Sequence, residues 1–209
     1  MILIGQYDSP YVRRVGIALR LYGMEFEHRP WSSFGDADRI AEFNPLRRVP
    51  TLVLDNGEVL VDSVTMLDHL DELAGPSKAL IPARGVPRRH ALKVTALATG
   101  ATDKAVSLFY ESLLHATTST VWVERCRTQV GTVLDVLEAD RAARGSTWWF
   151  GDRIGHADIA VACLHRFMRE VHPEVLTSAS RPVLAAHAHL CEALEPFKEI
   201  SQPFIAPKR

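Results

Sequence analysis

Between Arg48 and Ser63 the chain reads Arg-Val-Pro-Thr-Leu-Val-Leu, then Asp55-Asn56-Gly57-Glu58, then Val-Leu-Val-Asp-Ser. Two short apolar runs flanking an Asn-Gly pair, which tolerates positive φ, spell a β-hairpin. A helix is predicted directly after it: Val64, Leu67, Leu70 and Leu73 recur at helical spacing from Ser63, and Gly75 is placed to end the run. Pro50 then stands at a strand entrance, where its missing N–H costs the ladder little. A cis peptide there turns the preceding backbone outward, open to pairing with an extended peptide ligand. Ser63 is read as the N-cap of the following helix, so that its hydroxyl and the first free N–H groups form an anion-sized receptor. One end of the hairpin suits peptide-like pairing and the other suits a carboxylate.

The rest of the chain narrows the partners. In 209 residues, Lys+Arg 24 against Asp+Glu 25 gives a net charge of -1, so no global field draws the molecule to nucleic acid or an anionic membrane. No apolar run approaches ~20 residues, and Met1 leads into Ile2-Leu3-Ile4 without a basic region; neither a membrane span nor a signal peptide is predicted, and the expected location is the cytoplasm. Cys126, Cys163 and Cys191 are odd in number, widely spaced and set in apolar helical patterns, which argues for buried reduced thiols over a disulfide framework or zinc site. The nine histidines offer no metal-ligand spacing, and no Gly-rich phosphate loop is present. No metal is expected.

In chain order, Ile2–Ile4 reads as a strand and Ser9-Pro10 as a helix start, with Val12, Val15, Ala18, Leu19 and Tyr22 on one face and Gly23 as the stop. Met24 to His28 is a second strand, which requires a parallel crossover, and Phe34 to Phe43 is a weaker helix ending at Asn44-Pro45. The order is βαβ-α-ββα over residues 1–75. Pro76, Pro82, Gly85 and Pro87 mark 76–87 as a linker. From 88 to 209 strand signals cease: Arg88–His115, Thr118–Arg144, Ala157–Val171 and Pro182–Leu194 form an all-α domain. The Trp148-Trp149-Phe150 cluster within it reads as packing.

Asn44-Pro45-Leu46 followed by Val49-Pro50, Asp62-Ser63 after the hairpin, and Gly151-Asp152-Arg153-Ile154 leading to Ala157-Asp158-Ile159-Ala160 together resemble the cytosolic glutathione S-transferases, over the whole chain. That resemblance implies a thioredoxin-like first domain, an all-helical second domain and a homodimer. It implies that Val49 pairs through its backbone with the cysteinyl part of glutathione beside a cis Pro50, and that Asp62 and Ser63 hold the γ-glutamyl end. Arg48, Arg47 and Arg39 are the candidates for the glycyl carboxylate. Two departures stand out: Gly155 where the family usually has Ser or Thr, and Arg47 where it commonly has Gly.

The thioredoxin-like domain places its chemistry at the start of the first helix. No cysteine precedes Cys126, so a protein thiolate at that position is excluded and activation of glutathione's own thiol remains. A free thiol of pKa ~8.5 is only about 3% thiolate at pH 7, and a hydroxyl donor at a helix N-terminus favours the anion. Ser9 has both attributes, and its Ser-Pro start resembles the serine-type bacterial members; Tyr7 is the rival donor. The implied reaction is attack on a small hydrophobic electrophile such as an aryl halide, epoxide or enone, with Tyr11, Phe34 and Tyr110 as candidates for its pocket. Two other readings stand beside it. One is a non-catalytic module of the same fold that binds a protein; the other keeps the glutathione site for isomerisation, dehalogenation or peroxide reduction.

Overall fold

A computed structural model describes residues 1–176 and 181–207. The chain divides into two units, one formed by Met1–Ala83 together with the described residues from Leu194 onward, the other by Arg84–Ala193.

In the first unit, β1 (Ile2–Ile4), α1 (Pro10–Tyr22), β2 (Glu27–Arg29), α2 (Ala37–Ala41), β3 (Thr51–Val53), β4 (Val59–Val61) and α3 (Ser63–Ala74) follow in order. The four strands form one sheet in the order β2-β1-β3-β4. Since β1 and β2 are parallel, the chain has to cross over between them, and α1 is that crossover. Ser9 caps α1, Pro10 opens it, and Gly23 closes it at φ 67, a left-handed position that favours glycine. β3 and β4 pair in register Val53↔Val59 around Gly57 at φ 85, with the Leu54 N–H donating to the Glu58 carbonyl at 2.8 Å. On one face of the sheet Ile4 and Val53 pack with Ile40 of α2. Leu3 and Leu52, partners across the β1–β3 ladder, face the other way.

Several sequence expectations need correction. The second strand lies at Glu27–Arg29, with no strand at Met24, and α2 covers only Ala37–Ala41. In α3 the buried face is Met66, Leu67 and Leu70, whereas Val64 and Leu73 are exposed; the i, i+3 run through Val64 crosses to the solvent side, because the helix packs on α1 over another stripe. Residues 76–83 are no free linker. Leu80 and Ile81 are buried, and the Leu80 N–H donates to the Tyr22 hydroxyl at 3.0 Å and to Asp71 Oδ1 at 2.9 Å.

The second domain also ends earlier than expected. From Leu194 the chain returns to the first unit through α8 (Glu195–Glu199), where Phe197 and Ile200 are almost fully buried. The buried Arg13 donates from Nε to the Ile200 carbonyl at 2.9 Å and from Nη2 to the Phe197 carbonyl at 3.0 Å, with its guanidinium over the Phe197 ring. Gly16 makes the approach possible: Ile200 Cγ2 lies 2.8 Å from where a Cβ would stand.

The second unit consists of α4 (Gly85–Leu114), α5 (Thr120–Ala142), α6 (His156–Val171) and α7 (Pro182–Glu192). Nearly all of α6 is buried, and it packs on α4 and α7. Gly155 brings no side chain to the start of α6, so Asp158 closes it, accepting from the Gly155 N–H and the Trp149 N–H, each at 2.8 Å. Asp158 Oδ1 also meets His187 Nε2 at 3.1 Å, and Trp149 is fully buried beside it. Cys126, Cys163 and Cys191 are buried and in no disulfide. Among the described residues no helix is long and apolar enough to cross a membrane, and no His, Cys, Asp and Glu group is arranged to hold a metal.

Candidate functional site

Gly5 is where the first turn of α1 and the residue before Pro50 come together. Its φ of 131 lies in the region favouring glycine, and a Cβ there would stand 2.5 Å from Val12 Cγ2 and 2.8 Å from Val49 Cβ. The first turn of α1 and the residue before Pro50 thus crowd onto one α-carbon. The Val12 N–H donates to Ser9 Oγ at 3.4 Å, a long bond that leaves the half-buried hydroxyl at the positive end of the helix. No acidic side chain occupies that first turn.

The Val49–Pro50 peptide is cis, and among the described residues no hydrogen bond engages the Val49 backbone. Asn44, almost fully buried, holds the loop that leads there: its Nδ2 donates to the Arg48 carbonyl and to Thr51 Oγ1, both at 3.0 Å, and its Oδ1 accepts from the Leu46 N–H. Arg47 has φ 53, the conformation a glycine adopts without a Cβ penalty.

At the far end of the hairpin the cap differs from the expectation. Asp62, at φ 70, is the N-cap of α3 and accepts from the Val64 N–H at 2.9 Å; Ser63 is the first helical residue. Because Asp62 takes the turn, Ser63 points inward and is 3% exposed. Its hydroxyl accepts from Arg14 Nη1 at 3.4 Å. Arg14 and Gly5 had no place in the sequence argument. A buried arginine among the apolar positions of α1 and a glycine at the end of β1 were the available signals.

The cationic candidates separate. Arg39 pairs with Asp36 at 3.1 Å and stacks over Trp31, and Arg47 pairs with Asp38 at 2.8 Å. The exposed Arg48 side chain has neither an ion pair nor a hydrogen bond among the described residues. The two hydroxyl candidates separate as well. Tyr7 stacks flat on His28 at 3.8 Å between ring centroids, and its ring edge lies 3.4 Å from the Cβ position of Gly16, two turns into α1. Burial, with some help from Glu199 and against the pull of Arg20, pushes its phenol up to about 12. His28 is held below the usual imidazole value by burial, opposed by its bond to the Gly5 carbonyl.

Comparison with known proteins decides the family. Residues 3–78 match the family model for the glutathione S-transferase N-terminal domain and residues 120–189 the one for its C-terminal domain. The GST-like protein YibF of Escherichia coli is 32% identical over 167 residues, spanning 78% of this chain and 79% of that protein. The chain belongs to the glutathione S-transferase family.

Solved members of the family share its architecture. A glutathione S-transferase from Methylobacterium radiotolerans, in complex with glutathione sulfonate, superposes with a TM-score of 0.88 at 29% identity, covering 100% of this chain and 99% of that one. Another, from Methylobacillus flagellatus with glutathione bound, gives 0.87 at 26% identity, covering 96% and 98%. Of the three pocket candidates in this transferase, Tyr11 is half-buried in the first turn of α1 and Phe34 is exposed on the loop before α2. Tyr110 lies on α4 of the helical unit, its ring 5.4 Å from that of Phe109.

Proposed function

We propose that this glutathione S-transferase uses Ser9 to stabilise the thiolate of glutathione, which then attacks a small hydrophobic electrophile. The observation that supports the reading is the approach of Val12, in the turn that Ser9 caps, and of Val49 to Gly5, with no hydrogen bond on the Val49 backbone among the described residues. Val49 pairs with the cysteinyl backbone next to Pro50. Asp62 receives the γ-glutamyl ammonium, Ser63 its carboxylate, and Arg48 the glycyl carboxylate.

The chemistry follows from charge. Ser9 donates its O–H to the sulfur and the N-terminus of α1 adds a favourable dipole, so the thiol releases its proton to solvent nearer neutral pH. The thiolate lone pair forms the new S–C bond, and with an aryl halide the C–halogen bond breaks and halide departs. Tyr7 has no part in this reading; its phenol is held protonated, pushed up to about 12 by burial. Tyr11 and Phe34 of the first unit remain the proposed contacts for the electrophile. The transferase works in the cytoplasm as a homodimer; exposed Leu46, Val61 and Val64 are apolar surface of the kind a second copy covers.

The test is calorimetric titration with glutathione alongside turnover of a chlorodinitrobenzene. Binding that weakens in Ser63→Ala, with turnover that collapses in Ser9→Ala, supports the assignment. No binding at millimolar glutathione would overturn it and favour the non-catalytic reading.

A further inference from the structure

Gly5 is held at both of its backbone groups by neighbouring residues of β2. Its N–H donates to the Arg29 carbonyl at 2.9 Å, and its carbonyl meets His28 Nε2 at 2.8 Å. A carbonyl can only accept, so Nε2 is the ring nitrogen that carries the hydrogen. The half-buried imidazole makes a second contact with the same stretch of chain: the Tyr7 ring lies flat on it, 3.8 Å between centroids and 5° from parallel. Gly5 to Ser9 is the whole passage from β1 to the cap of α1, and the Ser9 N–H donates back to the Gln6 carbonyl at 3.2 Å. One imidazole thus grips this passage at its first residue by a hydrogen bond and at its middle by a ring face. The Ser9 hydroxyl stands at the far end.

The bond matters because of the residue it holds. Glycine resists rotation of its backbone less than any other residue, so at Gly5 the direction of the chain has to be fixed from outside. Val12 and Val49 both pack against this α-carbon, and a turned Gly5 peptide shifts one relative to the other. We propose that His28 is a positioning residue for the thiol step: by holding the Gly5 carbonyl and backing the Tyr7 ring, it fixes where the Ser9 hydroxyl stands relative to the Val49 backbone. His28 acts through Gly5 and Tyr7 and not on the sulfur. The inference rests on the reading of Ser9 and Val49 as the thiol site.

Two variants separate positioning from plain packing. His28→Phe keeps a flat ring against Tyr7 and removes the donor, whereas His28→Gln keeps a donor at the reach of Nε2 and removes the ring. In His28→Phe, kcat for a chlorodinitrobenzene is expected to fall about tenfold, within the cost of an ångström-scale misplacement. The pH at which bound glutathione ionises, read from the ultraviolet absorbance of its thiolate, is expected to move upward. His28→Gln restores kcat to within about threefold of the parent and returns the thiolate titration with it. A lower urea midpoint in His28→Phe, with kcat and the thiolate titration unchanged, would show a purely structural role and overturn the proposal. So would a Gln variant as impaired as the Phe one. Should Phe prevent folding, His28→Asn, whose amide is too short to reach the Gly5 carbonyl, takes its place with the same expectations. If calorimetry shows that the parent does not bind glutathione, the thiol-site reading itself fails, and this inference with it; binding in the parent with unaffected variants overturns this inference alone.

Discussion

The Arg14 guanidinium donates to the Ser63 hydroxyl across 3.4 Å, joining the second turn of α1 to the first residue of α3 in a buried setting. Ser63 is thereby oriented from inside the unit, while Asp62 takes over the capping of α3. Ser63→Ala is expected to raise the Kd for glutathione about tenfold, the loss of a hydrogen bond to a charged group. A matching fall in affinity for Asp62→Asn supports the pair as the γ-glutamyl site. Titration calorimetry reads both, and an unchanged Kd in Ser63→Ala would remove Ser63 from the site.

Ser9→Ala should reduce kcat about a hundredfold, as loss of a single donor to a developing anion does, with KM for glutathione nearly unchanged. Loss of the cap costs about 1 kcal/mol, so thermal denaturation run in parallel separates folding from chemistry. The pH–rate profile gives a second readout: its rising limb moves to higher pH in the variant. If kcat survives, Ser9 is only a cap.

Tyr7→Phe is expected to leave kcat within about twofold and to change the alkaline limb of stability instead. The folded phenol ionises near 12 against 10 for the ordinary group. Between those values the unfolded chain loses its proton first, so the contribution of Tyr7 is fully present below pH 10 and is lost as pH rises toward 12. Urea midpoints measured across that window should fall less steeply in Tyr7→Phe. A parallel slope would show that the phenol is not shielded.

Gly5→Ala places a methyl group 2.5 Å from Val12 Cγ2 and in a backbone region that L-residues avoid. Overpacking and strain together should cost about 2–5 kcal/mol, seen as a lower urea midpoint, and the residual folded protein should bind glutathione poorly because Val49 is displaced. Wild-type stability in this variant would contradict the close approach.

Arg47→Gly should stabilise the chain by about 0.5–1 kcal/mol. The left-handed position costs arginine on the order of 1 kcal/mol, and the exposed Asp38 pair that is lost contributes little. Chemical denaturation decides the sign.

Much of the architecture was legible because it is written in local chemistry. Ser9-Pro10 and Gly23 bound α1, Asn56-Gly57 turns the hairpin, and Asp158 closes the start of α6, each through contacts within a few residues. The candidate site was legible where it depends on the same devices, at Ser9, Val49 and Pro50. Arg47 illustrates the gain from adding geometry: as a departure from a glycine it was visible in the chain, but its φ of 53 explains the preference.

What lay outside the sequence depends on partners far along the chain. Local capping rules do not distinguish Asp62 from Ser63, since both residues are good caps; the positive φ of Asp62 and the buried guanidinium of Arg14 decide between them. Nor does the sequence show that the Tyr7 ring stacks on His28, an imidazole 21 residues along the chain. Residues 195–200 were read only as part of the all-α domain, and the burial of Phe197 and Ile200 against Arg13 and Gly16 assigns them to the first unit. Turns and caps are encoded within a few neighbouring residues. Which buried side chains meet is set by packing between elements, and packing exists only once the chain has folded.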